Sequence, residues 1–272
     1  MDDPFDGVQI RIVQGRPLGV PADRVHLAGC VPPRPRLAVV GSRAALRSCA
    51  ARVPGLVAVC RRLGWSVVSG GARGIDQRAH EAALACQVPQ LAVLPLGPDR
   101  PYPADLRPLF ERIAQARDSG VLFARPPGTA PARWMFVERN RWIVALCDAV
   151  LVVQADRRSG SVRTGRISLK AKVPTAAMAG TAGCAELVAA GARRIDLDRA
   201  ARDLEDFLRG KTPRAAPWPA HLAALEGALR EGPPRGLAVE DLAGEPAAVC
   251  ALAEAEALGL VVEVAPGRYR PA

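Results

Sequence analysis

The stretch Ser66-Val67-Val68-Ser69-Gly70-Gly71-Ala72-Arg73-Gly74-Ile75-Asp76-Gln77-Arg78-Ala79-His80 decides the fold. An apolar run enters a glycine-rich turn, and an alanine-rich segment with helical spacing leaves it. Strand, turn and helix in this order aim backbone N–H groups and the positive end of a helix dipole at an anion. Arg73 adds a fixed positive charge inside the turn. The segment therefore predicts a phosphate site, on either a small nucleotide or a polymer.

The same alternation extends in both directions. Short β-like runs occur at 37–40, 66–68, 91–94, 121–123, 149–153 and 175–178. Helical stretches lie near 44–63, 75–86, 105–117, 136–147, 160–171 and 183–191. Continuous apolar strands alternating with helices indicate a parallel sheet covered on both faces. Right-handed crossovers then give an α/β, Rossmann-like, doubly wound and mainly parallel sheet. This domain is predicted over residues 37–192. Residues 1–36, with Pro17, Pro21, Pro32, Pro33 and Pro35, read as an irregular N-terminal lead-in with one or two edge strands. Residues 193–218 mix charges of both signs and end in the helix-breaking Lys211-Thr212-Pro213-Arg214-Ala215-Ala216-Pro217, so they read as a linker. Residues 219–272 fit helices at 219–230, 238–243 and 246–258, then strands at 260–264 and 268–270, a small C-terminal winged-helix pattern.

The chain has 272 residues and a net charge of +10. Residues 37–180 hold 21 Lys and Arg against 9 Asp and Glu, a balance of +12; residues 219–272 hold 4 against 8, a balance of −4. The basic character belongs to the large domain and suits a polyanion. A general Arg bias in composition would produce it too, since only 3 of the 37 basic residues are Lys. The acidic C-terminal unit, with Glu240, Asp241 and Glu245, suits a protein contact better than duplex DNA. Seven scattered cysteines without a C-x-x-C pair, and three histidines without ligand spacing, predict neither a disulfide framework nor a metal site. Neither a signal peptide nor a run of 18 apolar residues is present, so a cytoplasmic protein without a membrane span is expected.

Four loops are expected at the carboxyl ends of the strands, where doubly wound folds bind ligands. They are Gly41-Ser42-Arg43; Ser69-Gly70-Gly71 with Arg73, Gly74 and Asp76; Arg139-Asn140-Arg141, near a helix start; and the stretch from Arg157 to Thr164 with Ser159-Gly160-Ser161. Small residues, hydroxyls and guanidinium groups are the inventory of nucleic-acid backbone contacts. On this reading Gly70, Gly71 and Gly74 let a DNA backbone approach. Arg73 touches the strand or braces the loop through Asp76. Asp76 and His80, at i and i+4, either bond to each other or leave Asp76 to cap the helix or hold a loop arginine. Trp134, Phe136 and Trp142 serve as core or as base-stacking platforms, core being the commoner role. The G-x-G-x-x-G, P-loop and G-x-S-x-G signatures are absent, which disfavours a dinucleotide, a nucleoside triphosphate and a serine nucleophile.

The ordered series Val39-Val40-Gly41-Ser42-Arg43, Val68–Asp76 with Ala79-His80, Ala92-Val93-Leu94 running to Tyr102-Pro103, Pro126-Pro127-Gly128, Phe136–Arg141 and Val152–Ala155 leading to Ser159-Gly160-Ser161 resembles the DNA-processing protein A (DprA/Smf) family. The resemblance covers about residues 25–192 and 219–271. It implies a non-enzymatic single-stranded DNA binder, without a cofactor, that protects DNA taken up in natural transformation. It also implies a homodimer that assists loading of the RecA recombinase. The family's DNA-contacting arginines correspond to Arg43, Arg139 and Arg141. Val137 stands where the family has Pro, which is expected to shift the loop presenting Arg139. Met178-Ala179-Gly180 replaces a usual V-P-G. A nucleotide-binding enzyme of the phosphoribohydrolase type is the alternative, with only Pro126-Pro127-Gly128-Thr129-Ala130 as an echo of its motif.

Overall fold

A computed structural model describes residues 8–210, 223–231, 237–242, 248, 251–252, 255, 261–265 and 268–271. The chain divides into two compact units, 1–211 and 212–272.

The first unit is built on nine strands. They are β1 (Ile10–Gln14), β2 (Arg24–Gly29), β3 (Arg36–Gly41), β4 (Ser66–Ser69), β5 (Gln90–Leu94), β6 (Gly120–Phe123), β7 (Ala149–Gln154), β8 (Thr175–Met178) and β9 (Arg193–Ile195), in the spatial order β1-β2-β6-β5-β4-β3-β7-β8-β9. Neighbours from β6 through to β9 are parallel, and β1 and β2 add an antiparallel ribbon at one edge. The connecting helices are α1 (Arg47–Ala50), α2 (Val53–Leu63), α3 (Ile75–Ala85), α4 (Arg107–Gln115), α5 (Arg133–Leu146), α6 (Gly160–Lys170), α7 (Ala182–Ala189) and α8 (Ala200–Leu208).

Alternation along each strand divides the core between two layers. From β3, Ala38 and Val40 pack with Trp142, Ile143 and Leu146 of α5 on one face. Leu37 and Val39 pack with Leu56 and Val57 of α2 and Ile75 and Ala79 of α3 on the other. Both faces are covered, so β4, β5 and β7 are buried at every residue. β3 pairs with β4 on one side and β7 on the other, and their connections leave to opposite layers. That divergence is the topological switch point of a doubly wound sheet, and it leaves a crevice beyond the strand ends.

Two expected boundaries move. The segment read as a lead-in already belongs to the sheet, because β2 pairs with β6 and buries Val25 and Leu27. The one or two edge strands expected there are β1 and β2. The segment read as a linker contains β9 and α8 as far as Leu208. Ala200 and Leu204 are buried, and Phe207 and Leu208 pack against the same core. Spacing of i, i+4, i+7 and i+8 makes one helical stripe, and the mixed charges lie on its outer side. Glu205 there accepts from Arg62 of α2 at 2.7 Å. Residues 211–218 lie outside the described residues.

In the second unit, α9 (Ala223–Glu231) turns Leu225 and Leu229 into a small core with Leu252, Ala255 and Val261. Strands β10 (Leu237–Ala238), β11 (Val261–Ala265) and β12 (Arg268–Pro271) pair antiparallel in the order β10-β12-β11. The expected helix at 238–243 is a 3-10 turn over Val239–Leu242, where Asp241 accepts from the Ala238 amide at 3.0 Å. The helix expected at 246–258 falls mostly outside the described residues; 248, 251, 252 and 255 are helical.

Candidate nucleic-acid interface

Asp76 organises the crevice. It sits in the first turn of α3, and only 5% of the residue is exposed. Its carboxylate accepts from the amides of Gly41 at 3.3 Å, Gly70 at 3.2 Å and Ala72 at 3.4 Å. One side chain thus fastens the loops after β3 and β4 to the start of a helix. Burial pushes the carboxyl above the ordinary aspartate range, while Arg139 and these amides pull it back down. His80, one turn further on, bonds to Gln90 across 2.7 Å, so the two side chains spaced i, i+4 do not pair. Burial, with a smaller push from Arg139, lowers the His80 pKa to about 4, so the imidazole is neutral at pH 7.

The glycines of the β4 loop admit protein. A Cβ at Gly70 would overlap Nη1 of Arg139 and come 2.7 Å from the Asp76 carboxylate. At Gly71 it would meet Leu94 and Phe110. Gly74 has φ +81° and lies against the Ser42 and Arg43 carbonyls, so both its conformation and its neighbours exclude a side chain. These positions build the loop against its surroundings; Gly70 also borders the open pocket. The remaining loop hydroxyls are also engaged internally: Ser69 donates to the Val39 carbonyl at 2.6 Å, and Ser42 bonds Ala44.

Arg43, Ala44, Gly70, Ala72, Arg73, Pro95, Tyr102, Pro103, Phe136 and Arg139 line a pocket of about 270 Å³. Arg139 reaches it from the middle of α5 and is 6% exposed. Its Nε has no hydrogen-bond partner among the described residues, and no ion pair forms to it there. Burial and the neighbouring Arg43 depress the guanidinium pKa, which Asp76 opposes. Arg43 is exposed, with its guanidinium 5.9 Å from the Phe136 ring centre. Phe136 meets Tyr102 edge to face at 5.3 Å. The pocket thus joins three arginines, one of them buried, to an aromatic wall.

The other expected site residues fall elsewhere or do other work. Arg73 lines the pocket, but its Nη2 and Nε donate to Asp105 at 2.7 and 3.2 Å, not to Asp76. The Arg139-Asn140-Arg141 segment lies in the middle of α5, not near a helix start. Two residues on a helix differ by about 200° in direction, so Arg141 is exposed on another side, away from Arg139. Val137 is helical and 38% exposed, so no loop there is displaced by the missing proline. Asn140 donates to the Gly160 carbonyl at 3.5 Å and ties α5 to the start of α6. Ser159 caps α6 by accepting from the Val162 amide at 3.3 Å, and Ser161 donates to the Gln154 carbonyl at 3.3 Å. Trp142 is fully buried, whereas Trp134 is 56% exposed. Tyr102 and Pro95 were absent from the expected set, because their loop reaches the crevice from a strand without an anion-binding turn.

The sequence profile of the DNA recombination-mediator protein A family matches residues 28–207. The chain belongs to this family. It is 39% identical over 245 residues to a DNA processing protein DprA of Mycobacterium tuberculosis, covering 84% of this chain and 60% of that protein. It therefore spans about 60% of the length of that curated relative. DprA of Streptococcus pneumoniae is 35% identical over 167 residues, 59% of this chain and 58% of that protein. Among solved structures, the Streptococcus pneumoniae DprA has a TM-score of 0.63 at 28% identity, covering 78% of this chain and 77% of that one. DNA processing protein A of Helicobacter pylori, described in its single-stranded DNA binding mode, has a TM-score of 0.65 at 22% identity, covering 76% of this chain and 100% of that one. The DprA fold therefore extends over the α/β unit. Among the described residues, no helix is long and apolar enough to cross a membrane.

Proposed function

We propose that this chain binds single-stranded DNA at the Arg43–Arg139 pocket and acts as a recombination mediator, protecting incoming DNA and assisting RecA loading in natural transformation. The observation that carries the reading is the buried Arg139 guanidinium, which lines a pocket without an acceptor of its own among the described residues. Such a group is costly to bury unless an anion completes it. Family membership makes a nucleic-acid phosphate the natural anion. Arg43 supplies a second charge at the rim, and Tyr102 and Phe136 offer ring surface for a sugar or base. A flexible single strand can turn one phosphate into such a recess, whereas a duplex presents its phosphates on a stiff outer surface. The role is binding, with no chemical step asked of these side chains. As a homodimer, two copies would hold two segments of one strand and gain avidity from the link between them.

The deciding experiment is affinity for a labelled single strand and for its duplex at two salt concentrations. Binding should favour the single strand and weaken steeply with salt. Arg43→Gln and Arg139→Gln should each weaken it by about 1–3 kcal/mol, the range for hydrogen bonds to charged groups. Wild-type affinity in both variants would overturn the site. RecA filament formation on protein-coated single strands, with and without this chain, tests the mediator role.

A further inference from the structure

The pocket uses one side of α5. Another exposed part of the helix carries Trp134 and, seven residues on, Arg141. We infer that Trp134 is a second stacking platform, taking the base of a nucleotide further along the strand than the one held at Arg139. This inference rests on the single-stranded DNA reading of the pocket.

Trp134 is 56% exposed, more than any other aromatic among the described residues. It is nevertheless held in place. The Arg125 guanidinium lies 4.8 Å from its ring centre. Arg125 is in turn ion-paired to Glu138, one helical turn from Trp134. The cation covers one side of the indole, so the exposed surface belongs to its edge and opposite side. A fixed ring with a bare π-face loses little freedom when a base stacks on it, and every base presents such a face. Single exposed apolar side chains are common; what sets this one apart is the cation that fixes its ring.

The surrounding charge selects the partner. On α5, Arg133, Arg139 and Arg141 stand against Glu138 alone. Trp134 and Arg141 are seven residues apart, about two turns and roughly 10 Å along one side of the helix. Arg141 is exposed and has no ion pair among the described residues. An aromatic platform followed by a free guanidinium suits a base and the phosphate of a neighbouring nucleotide. Phe136, on the same helix, lines the pocket and stands about 200° round the helix from Trp134, so a strand reaching this surface passes around α5 after leaving the pocket. A protein partner would have to match a basic rim around one tryptophan, and a polyanion does so directly.

The test compares oligothymidylates of 3 and 15 nucleotides. The shorter fills the pocket; the longer also reaches past it. Trp134→Ala should weaken the 15-mer by about 5- to 150-fold, the loss expected for one base–aromatic stack. It should leave the 3-mer within about twofold and the salt slope unchanged, because no phosphate contact is removed. Trp134→Phe should keep most of the affinity, and it preserves the test should the alanine variant fail to fold. Arg141→Gln should lower the salt slope for the 15-mer by about one phosphate contact. Wild-type 15-mer binding by Trp134→Ala overturns the inference. So does an equal loss on both lengths, which would make Trp134 a support for the pocket. A change confined to self-association overturns it in favour of a protein contact. Arg139→Gln separates the two readings: if it leaves the 3-mer unaffected, the pocket assignment fails while the Trp134 result still stands on its own.

Discussion

Removing the Asp76 carboxylate should undo the loop junction, and the size of the effect follows from its contacts. Asp76→Ala strips acceptors from three amides, of which the Gly70 N–H is fully buried and those of Gly41 and Ala72 partly so. A buried donor left unpaired costs about 1–3 kcal/mol; the other two can recover part of that from water. The variant also removes a negative charge whose field favours the buried Arg139 guanidinium, although no ion pair joins the two. A loss of about 1–3 kcal/mol in total is therefore expected. For a domain of this size that corresponds to a fall in Tm of about 2–12 °C. Urea unfolding followed through the fully buried Trp142 reports on the α/β unit. The double variant Asp76→Ala/Arg139→Met distinguishes this account from simple loss of packing. Once the guanidinium is gone, no uncompensated charge remains, so the double variant should be more stable than additivity predicts by at least about 1 kcal/mol. Additivity within about 0.5 kcal/mol, or a single-variant loss under about 1 kcal/mol, would refute the reasoning.

Gly70→Ala should lower DNA affinity about as much as loss of Arg139, since the new Cβ occupies the place of Nη1; an oligonucleotide titration checks this. Asp105→Asn should release Arg73 at the pocket rim and steepen the salt dependence of binding by about one phosphate contact, with the thermal midpoint unchanged because the pair is solvent-exposed. His80 has its pKa lowered to about 4 in the fold, so the unfolded chain takes up its proton first. Its contribution is fully present above about pH 6.5 and is lost as pH falls towards 4, by up to about 3 kcal/mol. Urea midpoints at pH 7 and pH 5 should therefore differ more in wild type than in His80→Gln, a comparison that cancels the opposite-signed effect of Asp76, whose raised pKa favours the fold as acid neutralises it. Leu204→Ala should cost about 2–5 kcal/mol in thermal unfolding, as for a core residue; a neutral result would restore the linker reading of this segment.

The sequence by itself determined the parallel sheet. Continuous apolar runs such as 149–153 and 91–94, alternating with helices, permit little else, because strands buried on both faces carry no polar alternation. It also located Gly41-Ser42-Arg43 and Ser69–Asp76 at strand ends, since local turn chemistry shows in local residues. What it could not assign was the partner of each charge. Pairing depends on which loops the crossovers bring together, and Asp76 meets Gly41 across 35 positions of chain while Arg73 meets Asp105 across 32. The helical phase of α5 separated Arg139 from Arg141, two residues that look equivalent in the sequence. Burial is decided by tertiary packing alone, and it turned one arginine of the motif into the unpartnered cation of the pocket and left the other on the surface beyond Trp134.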